Sequence, residues 1–170
     1  MTAAPTINVL FADDIRHEMG GKISIVGAYG SEMWFHGPQP PTAIARLGIF
    51  LSVRWPHGCT PGPLDFIIRW TDPDQSLLGA MNIDFSGIPA EPRPNDDMPP
   101  GAFTAFPLEM IPAHPNEAIQ VIHRHEGQER VVGRLFVRYA PPADAPALST
   151  AAPPAPTKPK RRTKKTKPAA

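Results

Sequence analysis

Apolar and polar side chains take turns along most of the first 140 residues, the period expected of pleated strands with one buried face. The clearest stretch puts Ala45, Leu47, Ile49, Leu51, Val53 and Trp55 on one side. Arg46, Gly48, Ser52 and Arg54 fall on the other, where Phe50 is the odd apolar residue. Leu64, Phe66, Ile68 and Trp70 alternate with Asp65 and Arg69, and Leu77, Met81, Ile83 and Phe85 alternate with Asn82 and Asp84. Between these runs lies Thr71-Asp72-Pro73-Asp74-Gln75, with proline suited to the first central position of a turn, so the two runs predict a hairpin. Nearer the N-terminus, Ile7, Val9 and Phe11 share one strand face. Ile23, Ile25 and Tyr29 share another, and Gly20 and Gly21 supply the turn between them.

The second half of the domain is less regular. Phe103 to Met110 reads as a strand whose apolar phase slips from Phe103 and Ala105 to Phe106, Leu108 and Met110. That slip predicts a bulge near Pro107, and a proline there predicts an edge strand. Ala118 to His125 and Glu129 to Tyr139 form a last hairpin, with Val131, Leu135, Val137 and Tyr139 opposing Arg130, Arg134 and Arg138. A three-residue loop, Glu126-Gly127-Gln128, sets Ile119 and Val121 opposite Leu135 and Gly133, whereas a two-residue loop misaligns them. Ser86 to Pro100 has five prolines and no period, and is expected to be a long loop. Met33, Trp34 and Phe35 fall between strands, as an apolar cluster that covers a sheet edge or forms a protein-partner patch. Eight short strands without a helix predict an all-β domain over residues 1–140, a two-sheet antiparallel β-sandwich with a closed barrel as the alternative.

Composition sharpens this picture at one place. The chain has 24 prolines in 170 residues, against a usual share of roughly 5%, which excludes a helical bundle. From Pro141 onward the sequence is mostly Ala, Pro, Ser, Thr and Lys, with Leu148 the one large apolar residue. Such a segment cannot offset a chain entropy of ~1–2 kcal/mol per residue, so residues 141–170 are expected to be a disordered basic tail. The formal charge of +1 hides a separation: residues 1–157 carry 16 acids against 10 Lys and Arg. The remaining stretch carries Lys158, Lys160, Arg161, Arg162, Lys164, Lys165 and Lys167 with no acid. Seven cations in ten residues predict contact with nucleic acid or another polyanion, without sequence preference because no aromatic residue interleaves them. A solubility tail, an import address and attraction to the acidic domain are the plainer readings.

Cys59, the sole cysteine, excludes an intrachain disulfide and is read as a tolerated loop thiol. The N-terminus lacks a cationic region before its apolar stretch, and no run approaches the ~20 apolar residues of a membrane span. A cytoplasmic protein with no membrane contact is the resulting expectation.

Two clusters offer candidate chemistry. Asp13, Asp14 and Glu18 gather carboxylates near the end of the first strand, as hard cations require, although lone carboxylates more often cap turns. His123 and His125, two apart on a strand, point to one side as metal ligands would, but two ligands do not make a site. No nucleophile elbow, phosphate loop or dinucleotide fingerprint occurs, and no cofactor is expected. LFADDIR, Leu10 to Arg16, followed by GGKISIVGAYG, Gly20 to Gly30, resembles an uncharacterised bacterial family of small β domains. The resemblance implies a β fold and carries over no catalytic residue. The expected function is a non-enzymatic binding or scaffolding module whose tail contacts polyanions. The alternatives are a metal-dependent enzyme using either cluster and a structural subunit of a larger bacterial or phage assembly.

Overall fold

The structure, a computed structural model, describes residues 4–72, 77–89 and 101–141. Nine strands occur among them: β1 (Thr6–His17), β2 (Ile23–Tyr29), β3 (Glu32–His36), β4 (Ala43–Arg54), β5 (Leu64–Trp70), β6 (Leu77–Ile83), β7 (Gly101–Pro112), β8 (Ala118–His125) and β9 (Gln128–Ala140). They form two sheets, one ordered β2-β1-β4-β7 and the other β3-β9-β8-β5-β6. The fold is therefore the all-β, two-sheet sandwich that the alternation predicts. No helix among the described residues is long and apolar enough to cross a membrane.

The inner faces meet as forecast in β5 and in β4 from Leu47 onward, whereas Ala45 is exposed and Ile44 takes its place in the core. Leu47, Ile49, Leu51, Val53 and Trp55 from one sheet, and Leu64, Phe66, Ile68 and Trp70 from the other, are all buried. Trp55 packs edge-on against Phe85, with ring centroids 5.2 Å apart. The sheets approach tightly at Gly133, where an added Cβ would lie 2.6 Å from the Cβ of Val9. A side chain at that position of β9 would push β1 away.

Several details depart from the sequence reading, most of them through a local irregularity that shifts side-chain phase. Residues 32–36 form a ninth strand rather than a linker, and β3 pairs with β9 in parallel, so the sandwich is not wholly antiparallel. The β8–β9 turn has two residues, not three: Glu126 and Gly127 both have positive φ (49° and 76°), the geometry of a type I′ hairpin. A one-residue slip between Val121 and Ile122 then restores the predicted pairing of Ile119 with Leu135 and Val121 with Gly133. The slip also leaves Val131 exposed and packs Val132 against the core. A similar slip beside Ile68 and Arg69 leaves Leu77 exposed, while Leu78 packs against the core. Finally, β7 is the expected edge strand but has no bulge at Pro107: its register with β4 does not shift, and the phase and the pairing break at Met110, whose φ is +50°, opposite Ala45. The inward residues before that break are Ala102, Phe106 and Leu108, and Phe103 lies outside.

Candidate functional site

Asp13, Asp14 and Glu18 do not converge. The first two lie inside β1 rather than at its end, and Glu18 lies in the turn beyond it. Gly27, with φ +65°, leaves room over its Cα for the Asp13 carboxylate, whose Oδ1 accepts a hydrogen bond from the Tyr29 hydroxyl. Burial, followed by that carboxylate, raises the Tyr29 pKa. Asp14 instead accepts a hydrogen bond from Arg16 Nε at 2.6 Å and forms an ion pair with Arg46 Nη2 at 2.9 Å. The Arg16 bond holds the Asp14 carboxyl below its usual range. Glu18 accepts from the Ser24 hydroxyl. Each acid thus satisfies a different neighbour.

His123 and His125 do meet, with ring centroids 5.8 Å apart and planes inclined by 20°. His123 is buried at the rim of the core, 5.6 Å from the Phe66 ring, and its Nε2 has no hydrogen-bond partner. Burial lowers its pKa, aided by His125 and Arg130 and opposed by Asp65. Among the described residues, no group of three or more His, Cys, Asp or Glu is arranged to hold a metal ion.

The outer faces hold what sequence reading passed over. On the first sheet, Phe50 stacks with Phe103 at 5.9 Å. Gly21, Lys22, Ile23 and Ile25, from the tip of the β1–β2 hairpin, complete with them a groove of about 420 Å³. Ile23 and Ile25 therefore do not share the Tyr29 face; Tyr29 packs on the core. The hairpin tip reaches this face because Gly48 leaves space for Ile15, whose Cγ1 would lie 2.7 Å from a Cβ there.

The outer face of the second sheet is cationic and aromatic. Alternation from buried Met33, Leu135, Val137, Ile119, Val121 and Ile68 turns Glu32, Trp34, His36, Arg134, Phe136, Arg138, Gln120 and Arg69 outward. Trp34 is 52% exposed, stacks on His36 with centroids 6.3 Å apart, and donates from Nε1 to Glu32 at 3.0 Å. The Arg138 guanidinium lies 5.0 Å from the Phe136 ring centroid and binds Glu32 at 3.1 Å. Arg69 and Arg124 share Glu129, at 3.2 and 2.8 Å, and the Arg124 bond holds Glu129 below its usual range. Met33, Trp34 and Phe35 thus form the edge strand itself rather than a cover over one. Their alternation with Glu32 and His36 was the available signal, muted because both faces carry apolar residues.

The tail cations, Lys158 to Lys167, lie outside the described residues, as do part of the expected Ser86–Pro100 loop and most of the Thr71–Gln75 turn. No family model matches the chain, and no curated protein matches it.

Proposed function

We propose that this chain is a non-enzymatic, cytoplasmic binding module that grips polyanions through its C-terminal cations. The observation that carries the reading is the charge separation: seven cations and no acid from Lys158 to Lys167, following a body of 16 acids and 10 cations. The sandwich adds to it. Arg16, Arg46, Arg69, Arg124 and Arg138 are each ion-paired to a carboxylate of the sandwich itself. Exposed pairs of this kind balance charge locally and leave little net attraction for phosphates. The tail has no such internal balance, so counterion release from a bound polyanion falls chiefly to it.

The test compares DNA and RNA retention by the full chain with that of a full-length variant in which the seven tail cations are glutamine. The full chain is expected to show a log–log salt slope near −6 on duplex DNA, about −0.9 per phosphate neutralised. The variant should lose most of that slope. Equal retention by the two chains refutes the reading.

A further inference from the structure

We propose that the outer face of the second sheet is a stacking platform for single-stranded nucleic acid, centred on Trp34, and that the tail delivers the strand to it. The inference rests on the polyanion reading above and names its ligand class. A run of lysines and arginines without aromatic residues binds phosphates and leaves the bases unread. The fold supplies the missing aromatic surface from elsewhere in the chain.

The placement is specific. β9 ends at Ala140, whose register partner on β3 is His36, the residue stacked on Trp34. The chain therefore leaves the sandwich beside the aromatic pair. Lys158 follows Ala140 by eighteen residues, a contour of at most roughly 60 Å, ample for the cations to hold a strand that crosses the sheet. Beside Trp34 and His36 lie Phe136 and Arg138, and one strand further in Gln120, itself buried, is flanked by Arg134 and Arg69. Arg134 is exposed and has no ion-pair partner among the described residues. Among the described residues the face has three acids: Glu32 between Trp34 and Arg138, and Asp65 and Glu129 toward the far side. Arg138, Arg69 and Arg124 pair with Glu32 and Glu129, so these three and Arg134 leave the face with one positive charge in excess. Four adjacent strands, β3 to β5, give a width of roughly 14 Å, enough for about two or three stacked bases. Duplex DNA hides its base faces in the stack and gains nothing from Trp34, so the platform selects single strands.

Trp34 also provides the readout, because Trp55 is 4% exposed and Trp70 fully buried. Quenching of tryptophan fluorescence by a bound base must come from Trp34. Full chain, W34A, R134A and the tail-neutralised variant would each be titrated with oligothymidylate of about 20 nucleotides and with a duplex of the same length, long enough for tail and face together. The full chain is expected to be quenched by the single strand and to prefer it over the duplex. W34A should lose the quench and bind the single strand about tenfold more weakly, with duplex affinity unchanged. R134A should weaken both ligands and lower the salt slope by about one. Binding without quenching, or a W34A affinity equal to the full chain's, overturns the platform and leaves the tail reading standing. Single-strand binding that survives tail neutralisation but falls in W34A overturns the tail reading and keeps the platform. Absence of binding by every chain overturns both.

Discussion

The two sheets are alike on the inside and opposite on the outside. Inward, both contribute Leu, Ile, Val, Phe and Trp to a single core. Outward, the four-stranded sheet carries an apolar groove under a curled hairpin, whereas the five-stranded sheet carries arginines, an exposed tryptophan and shared carboxylates. The difference teaches which constraint acts where. Inner residues answer to burial, worth roughly 1.5–3 kcal/mol for a large side chain, and have little freedom. Outer residues are released from that demand, so their chemistry is where function is to be sought.

The sharpest way to break this contrast is to treat two tryptophans alike. Trp70 is fully buried, its ring edge-on to His114 with centroids 4.9 Å apart, whereas Trp34 is half exposed on the outer face. Trp70→Ala is expected to cost about 3–5 kcal/mol in denaturant unfolding, by loss of transfer energy plus a cavity. Trp34→Ala should stay within about 0.5 kcal/mol of the parent. Similar losses for both would mean that the second sheet's outer face is held by packing, and the division between the faces would collapse.

A smaller effect separates the two close approaches. Gly133→Ala drives a methyl into Val9 between the sheets, where backbone on both sides is fixed by pairing, and should cost about 1–3 kcal/mol. Gly48→Ala meets the side chain of Ile15 on the outer face, and the hairpin tip can lift to relieve it. Its cost should be lower than that of Gly133→Ala, and it should open the groove at Phe50 and Phe103. Equal unfolding free energies for the two variants would show that the hairpin tip is as firmly packed as the core.

The two kinds of position were not equally legible. β5, and β4 from Leu47 onward, could be read residue by residue, because a strand buried on one face writes its pattern directly into the sequence; only Ala45 was misplaced, with Ile44 buried in its stead. The errors fell where the count slips by one. Leu77 and Val131 were placed inside and lie outside, because a single extra residue in β6 and in β9 reverses the faces on one side of it. At the β8–β9 hairpin the slip compensated a misread turn: the pairing of Ile119 with Leu135 holds although the loop is one residue shorter. β3 escaped notice because its five residues pair in parallel with a strand a hundred residues later, and nothing local signals such a partner. The acidic cluster dispersed for a related reason. Neighbours in sequence answer to different partners in space, Asp13 to Tyr29 and Asp14 to Arg16 and Arg46. The outer platform needs β3, β9, β8 and β5 side by side, so it became visible only with the sheet order.

His123 belongs to neither class, being a titratable residue on the inner face, and it gives the mildest test of the boundary. Its pKa is lowered by burial first and by His125 and Arg130 next, with Asp65 acting in the opposite direction. Lowering a histidine's folded pKa means that the unfolded chain takes up the proton first. Above its unfolded pKa of about 6.5 both states hold the neutral ring, and this residue adds no pH dependence. As pH falls below that value, unfolding binds a proton and stability declines until the folded pKa is passed, after which the loss is constant. Denaturant midpoints measured from pH 7.5 to 5 should therefore fall more steeply for the parent than for His123→Phe, which keeps a ring beside Phe66 and cannot charge. Identical slopes would show that His123 gains its proton as easily folded as unfolded, and would place it with the solvated outer residues despite its position.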